Sequence, residues 1–289
     1  MFGGLQAKGR ARGASGERVS AVQAAQLQEH CRKLLESPRN ADEKRLLRFG
    51  YRVYSQSDED GILHEIFRRI GEGGRTFVEI GAGDGLENNT LFLLVQGWRG
   101  VWIEGTPRKV SSAKEKVGVL FPDGRLGIEQ HFVNRENIDG ILSRSTPGAE
   151  IDLLSMDIDG NDWHVLRAIR AVSPRVIVAE YNAKFPPDIR WVMEYNETHR
   201  WDGSDYFGAS LGALEAMLSE KGYSLAGCNL LGCNAFFVRK DLASEALFRS
   251  PFTAVNHYEP ARYFLLPAYH AGFPPGFGPF VTSCEDRKV

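Results

Sequence analysis

Residues 77–104 read FVEIGAGDGLENNTLFLLVQGWRGVWIE. A short apolar run leads into a turn holding three glycines. An apolar stretch with helical spacing follows, then a second apolar run that ends on an acid. That order predicts strand, tight turn, helix, strand, which is one half of a nucleotide-binding α/β unit. Gly81, Gly83 and Gly85 admit backbone angles closed to other residues and let a ligand come close to the main chain. Glu104 stands nineteen positions beyond Gly85, about where a carboxylate meets a ribose diol. The stretch predicts a protein that binds an adenosine-containing cofactor.

The spacing narrows the choice. A dinucleotide fold places glycines as G-x-G-x-x-G, whereas Leu86 occupies the third of those positions and the run is G-x-G-x-G. Glu79, two residues ahead of the first glycine, would repel a diphosphate and suits a cationic ligand. S-adenosylmethionine (SAM) carries a sulfonium and an ammonium; NAD carries a diphosphate. The pattern E-x-G-x-G-x-G with a trailing acid resembles the first motif of class I SAM-dependent methyltransferases. The resemblance implies a cofactor site at Glu79, Gly81, Gly83, Asp84 and Gly85, with Glu104 on the ribose.

The remainder of the chain is read around that unit. With 289 residues, 43% of them hydrophobic, it is long enough to bury a core without staples. A net charge of −2 gives no electrostatic case for nucleic acid or for an anionic membrane. No apolar run reaches the length of a membrane span, and no signal-peptide core opens the chain. Cys31, Cys228, Cys233 and Cys284 lack the spacing of a zinc site and read as reduced thiols. The expectation is a cytoplasmic protein with neither nucleic-acid nor membrane partners.

Residues 1–18 are expected to be a disordered tail and 19–72 an N-terminal helical extension, with helices over 19–36, 42–49 and 62–70. Residues 73–289 are expected to form the cofactor-binding domain. Strands are predicted at 77–80, 101–103, 131–133, 151–156, 176–179, 223–228 and 235–238. Helices are predicted after Gly85, with Leu91, Leu94 and Val95 facing inward, and over 107–119, 135–142, 162–171 and 210–221. The connection 229–234 is too short for a parallel crossover, so the last two strands must pair antiparallel. The fold class is therefore α/β: a Rossmann-like, seven-stranded, mostly parallel sheet with an antiparallel C-terminal hairpin, plus N-terminal helices.

In such sheets ligands lie at the carboxyl ends of the strands. The fourth strand ends in Asp157-Ile158-Asp159-Gly160-Asn161-Asp162 and the fifth in Glu180-Tyr181-Asn182. The segment LLSMDIDGNDWHVL (153–166) resembles the D-V-E-G-x-E segment of FkbM-type methyltransferases, with aspartates at 159 and 162 where that family has glutamates. The resemblance spans roughly 76–182 and implies methylation of hydroxyl groups, often on sugars or natural products. Asp157, Asp159, Glu180 and His164 are the candidate catalytic residues, and Asp157 also faces the cofactor. Asp157, Glu180 and Asn182 offer the oxygen ligands that Mg²⁺ or Mn²⁺ prefers. The plain alternative is that these acids cap helices and satisfy turns.

Two further segments bear on the site. Gln56, in the acidic stretch 55–61, is a candidate for the methionine end of the cofactor; the acids there equally suit the first turn of a helix. Residues 181–207 show little periodicity but carry Phe185, Trp191, Tyr195, Trp201, Tyr206 and Phe207 among polar groups, fit for a sugar-like acceptor or for self-packing. The Pro- and Gly-rich segment 267–280 reads as a lid or cover. Tyr258, Glu259, Arg262 and Tyr263 just before it are candidates for a homo-oligomer contact. Together these features predict a SAM-dependent O-methyltransferase acting on a small-molecule or glycan acceptor. The alternatives are a non-catalytic SAM- or nucleotide-binding module and an NAD-dependent oxidoreductase.

Overall fold

A computed structural model describes residues 21–146, 150–265 and 278–281. The sheet strands are β1 (Thr76–Ile80), β2 (Arg99–Glu104), β3 (Leu126–Gln130), β4 (Leu153–Met156), β5 (Val176–Glu180), β7 (Tyr223–Cys228) and β8 (Asn234–Arg239). Between β5 and β7 comes the two-residue β6 (Val192–Met193), which pairs with β9 (Phe280–Val281). The main sheet runs β3-β2-β1-β4-β5-β8-β7. β1 to β5 are parallel, and β8 enters antiparallel to both β5 and β7. This is the expected seven-stranded, Rossmann-like sheet with its antiparallel hairpin.

Alternation along the strands builds two cores. Val78, Ile80, Ile177, Ala179 and Phe237 face one side, where α5 (Ile138–Ser145), α6 (Asp162–Ala168) and α7 (Leu211–Glu220) pack. Phe77, Val176, Val178, Phe236 and Val238 face the other, against α2 (Glu59–Ile70), α3 (Leu91–Val95) and α4 (Pro107–Lys116). On that second face Phe67 meets Trp98 edge-on, with ring centres 4.6 Å apart. α1 (Ala21–Leu35) lies outside this sandwich, while the short α8 (Ala254–His257) adds Ala254 to the first core.

The amino ends of β1, β4 and β5 are tied by one buried ion pair. Asp152 accepts from the Thr76 N–H and hydroxyl at 2.9 and 3.0 Å, and from Arg175 Nη1 at 3.1 Å. Arg175 then donates to the carbonyls of Gly71 and Ile70. Both charges are removed from water but fully hydrogen-bonded, the arrangement in which burial is tolerable.

Several expectations need correction. The third strand is 126–130, five residues ahead of the predicted start, because Leu126 and Ile128 rather than Phe132 supply the apolar side. Residues 42–49 do not form a helix; only 3-10 turns at Pro38–Ala41 and Leu47–Phe49 occur. Val95 is 51% exposed, so only Leu91, Leu93 and Leu94 of α3 point inward. Glu259 and Arg262 are buried within the chain: Arg39 and Arg262 bind the Glu259 carboxylate at 2.5 and 2.9 Å. The predicted tail at 1–18, most of the lid-like segment and Cys284 lie outside the described residues. No described helix is long and apolar enough to cross a membrane.

Candidate functional site

The carboxyl ends of β1 to β4 surround a cavity of about 290 Å³. Ile80 and Gly81 line it from β1; Ile103, Glu104, Gly105, Thr106 and Lys109 from β2 and α4; His131, Phe132 and Val133 from the loop after β3. Asp157, Ile158, Asp159 and Asn161 line it from the turn after β4, and His199, Arg200 and Trp201 from the long β5–α7 connection.

Glu104 ends β2 with its side chain buried at the cavity wall. Its Oε2 accepts from the Gly83 N–H at 2.9 Å and its Oε1 from the Thr106 N–H at 2.6 Å. Each carboxylate oxygen keeps a second lone pair, and the two main-chain donors fix where those lone pairs aim. A vicinal diol can donate to both. The glycine turn supplies the neighbouring surface. Gly81, at φ +86°, passes so close to β4 that a Cβ would stand 1.5 Å from the Asp157 carbonyl oxygen. Gly83, at φ +59°, has nothing within 4 Å of the place a Cβ would take, so its face is open. Gly85 abuts Trp102 instead, and Asp84 is tied to Lys116 at 2.7 Å on the surface.

Glu79 has a different position from the one its sequence suggested. Its carboxylate accepts from the Asn89 and Thr90 N–H groups at 2.9 and 3.2 Å and from the Thr90 hydroxyl at 2.5 Å. Trp102 Nε1 in turn donates to Thr90 Oγ1 at 2.8 Å. Glu79 therefore secures the start of α3 and does not line the cavity. Burial raises its carboxyl above the ordinary range against those hydrogen bonds.

The second feature is an acid cluster. Oxygens of Asp157, Asp159 and Glu180 lie within 4.8 Å of one another. Glu180 Oε2 is buried with no hydrogen-bond partner. Burial, then the charges of Asp157, Asp159 and Asp162, push the Glu180 carboxyl well up. Burial, then Asp159, Asp162 and Glu79, do the same to Asp157. Asp159 is raised by burial, with Lys109 pulling the other way. Its backbone is left-handed, at φ +55°, a conformation unfavourable for most non-glycine residues. Asp162 has a structural role: it accepts from the N–H groups of Ile158 and Gly160 at 2.8 Å each, and burial raises its carboxyl to about 6.

Asn182 does not join this cluster. Its Nδ2 donates to the carbonyls of Asp205 and Phe207, and its Oδ1 accepts from the Lys184 N–H. The oxygen set the structure assembles is Asp157, Asp159 and Glu180 in place of Asp157, Glu180 and Asn182. His164 is likewise elsewhere: its Nε2 bonds the Met193 carbonyl at 2.8 Å and its ring packs between Trp163 and Tyr195. Gln56 is outside the cavity lining, with its Oε1 3.8 Å from Cys233 Sγ. The neighbouring acids brace the structure. Asp60 accepts from the N–H groups of residues 53–55, and Glu59 from Asn229 and Asn234. Asp58, raised by burial to about 7, accepts from the Leu230 N–H.

Much of the cavity was not foreseen. His131 and Phe132, expected in the third strand, lie in the loop beyond it. Lys109, Thr106, Asn161, His199 and Arg200 carry no motif. Of the aromatic segment, Trp201 reaches the cavity, while Phe185, Trp191 and Tyr206 pack on one another, the first two stacked at 4.5 Å.

The fold and site together define a Rossmann-like α/β protein with a carboxylate held by two main-chain N–H groups at its cavity and an acid cluster beside it. No protein-family model matches the chain, and no curated protein matches it. Several solved structures are similar to it in part. The N-terminal domain of EvdMO1, crystallised in the presence of S-adenosylhomocysteine (SAH) and D-fucose, is 14% identical with TM-score 0.43, over 75% of this chain and 96% of that one. The SAH-bound methyltransferase PaMTH1 of Podospora anserina is 15% identical with TM-score 0.42, over 74% and 88%. Magnesium protoporphyrin IX methyltransferase of Synechocystis PCC 6803, with bound SAM, is 11% identical with TM-score 0.39, over 74% and 97%. Function is read from the side chains of the site.

Proposed function

We propose that this chain is a SAM-dependent methyltransferase that methylates a hydroxyl group of a small molecule, sugar or natural product. The observation that carries the reading is the buried Glu104 carboxylate, oriented by Gly83 and Thr106 at the wall of a nucleoside-sized cavity. The open face of Gly83 leaves room for a ligand to lie against the main chain. The partnerless Glu180 oxygen faces a deficit that a hydroxyl donor or a cation would fill.

When bound, SAM supplies an electrophilic methyl group on a sulfonium that leaves as a thioether. The protein's task is to hold the acceptor oxygen in line and to take its proton. Asp157, Asp159 and Glu180 supply the groups for that second task. A carboxylate with raised proton affinity is the better base toward a hydroxyl once it has lost its own proton, so activity should rise with pH. The same three oxygens fit Mg²⁺ or Mn²⁺, which would instead lower the hydroxyl's pKa. Methyl transfer that survives excess EDTA supports the carboxylate reading; loss with EDTA and recovery with metal supports the cation.

Calorimetry with SAM, SAH and NAD tests the cofactor directly. SAM and SAH should bind and NAD should not. Binding of NAD alone would overturn the proposal.

A further inference from the structure

Residues 194–207 form a loop closed at its neck. Val192 bridges Ala209, and the Met193 N–H donates to the Gly208 carbonyl at 3.0 Å. Beyond the neck the chain crosses from one side of the cavity to the other. On the β4 side, Asn161 Nδ2 donates to the Asn196 carbonyl at 2.7 Å, and the Asn196 N–H donates back to Asn161 Oδ1 at 3.3 Å. His199 Nε2 meets the Asp159 carbonyl at 3.1 Å. Its ring occupies the space over Gly160, where a Cβ would stand 2.3 Å from His199 Cδ2. On the β3 side, the Arg200 guanidinium lies 5.3 Å from the Phe132 ring centre, Asn134 donates to Glu197 at 3.2 Å, and Tyr195 donates to Glu136 at 2.6 Å. His199, Arg200 and Trp201 line the cavity together with Glu104 and Thr106.

The second half of the loop is fixed to the body: Asn182 holds the carbonyls of Asp205 and Phe207, Lys184 pairs with Asp205, and Tyr206 donates to the Pro279 carbonyl. The first half, 195–201, rests on the polar contacts just described, and a segment held that way opens locally before the fold does. One anchor also reaches the acid cluster. His199 holds the carbonyl of Asp159, whose left-handed backbone aims its carboxylate at Asp157 and Glu180.

We propose that residues 195–201, within this loop, are a flap that closes over the nucleoside end of the bound cofactor, with Asn161 and His199 as its latch, and that His199 thereby sets Asp159 in the acid cluster. Cofactor loading would then prepare the acceptor site, and the order of binding is cofactor first. This inference rests on the SAM reading above. His199 acts as a positioning residue through Asp159.

Hydrogen exchange and SAH dissociation rates test it. In the wild-type protein, saturating SAH should slow exchange both in peptides covering 195–201 and in those covering 158–161. In His199→Ala the protection of 158–161 should be lost. In His199→Gln, whose amide can donate from the same place, it should be kept. Asn161→Ala, lacking both latch bonds to Asn196, should release SAH about tenfold faster. SAH binding with unchanged exchange at 195–201 and a wild-type dissociation rate in Asn161→Ala would overturn the flap alone. Loss of protection at 158–161 in His199→Gln as well as His199→Ala would overturn the positioning role. No SAH binding by the wild-type protein would overturn the cofactor reading, and the flap with it.

Discussion

The main-chain N–H of Gly83 donates to Glu104 Oε2 at 2.9 Å, joining the turn after β1 to the end of β2. The bond fixes the carboxylate against the glycine turn before any ligand arrives. On the proposed reading, Glu104→Ala removes the acceptor for two ribose hydroxyls, each charge-assisted bond contributing about 1.5–3 kcal/mol at most. SAH affinity measured by calorimetry is expected to fall at least about tenfold. A folded Glu104→Ala protein with unchanged affinity would remove the ribose assignment.

Two neighbouring glycines should respond oppositely to substitution. A Cβ at Gly81 meets the Asp157 carbonyl oxygen at 1.5 Å, so Gly81→Ala must push β1 from β4 and should lower the melting temperature sharply. Gly83 faces open space. Gly83→Val should cost only the backbone penalty of a left-handed residue, about 1–2 kcal/mol, while abolishing SAH binding by filling the ligand's place. Thermal melts paired with calorimetry separate the two effects.

Glu180 gives a pH-dependent expectation. Its carboxyl is raised in the folded protein from an ordinary value of 4.5. The folded state therefore keeps a proton that the unfolded chain has lost, and stability falls as pH rises through the folded value. Glu180→Gln is free of that loss. The variant should be more stable than wild type at pH 8, with the gap closing toward pH 4.5. Urea titrations across that range would show it; a gap that widens toward acid would contradict the burial of an unpaired carboxyl.

His257 behaves in the reverse sense. Burial first, then the charge of Arg45 and more weakly those of Arg39 and Arg249, lowers its imidazole from 6.5 to about 3. It lies beside the Arg249 carbonyl at 2.9 Å. Between those values the unfolded chain takes a proton that the folded one refuses. Stability is thus lost as pH falls from 6.5 toward 3, at up to about 1.4 kcal/mol per pH unit. In His257→Gln this contribution disappears, so the difference in unfolding free energy between the two proteins should shrink along that window. A constant difference would place a charged imidazole there.

The strands and the antiparallel hairpin were legible because their signals are local: apolar runs at 77–80, 101–103 and 176–179, and a connection at 229–234 too short for a crossover. Glu104 was legible because its distance from the glycines is set by one helix and one strand. The acid cluster was half legible. Asp157, Asp159 and Glu180 were visible as strand ends. That Asn182 turns instead to the carbonyls of Asp205 and Phe207 depends on a loop more than twenty residues away. Glu79 was misread for a related reason: nothing in the local pattern says that Asn89 and Thr90 return to cap themselves on its carboxylate. His199 could not be found at all. It faces Gly160 only because the neck at Val192 and Ala209 folds the loop back, and no periodicity encodes that return.

The Asp152–Arg175 pair makes the two ends of the sheet unlike in temperament. At the amino ends of β1, β4 and β5 every buried charge is answered by an opposite charge or a hydrogen bond. At the carboxyl ends Asp157, Asp159 and Glu180 crowd together with a carboxylate oxygen left unanswered. Efforts to make a hardier protein therefore have separate ground to work on. Changes near Gly71, Thr76 and Arg175 can strengthen the scaffold without touching the reactive rim, whereas relieving the crowding at the rim would trade reactivity for endurance.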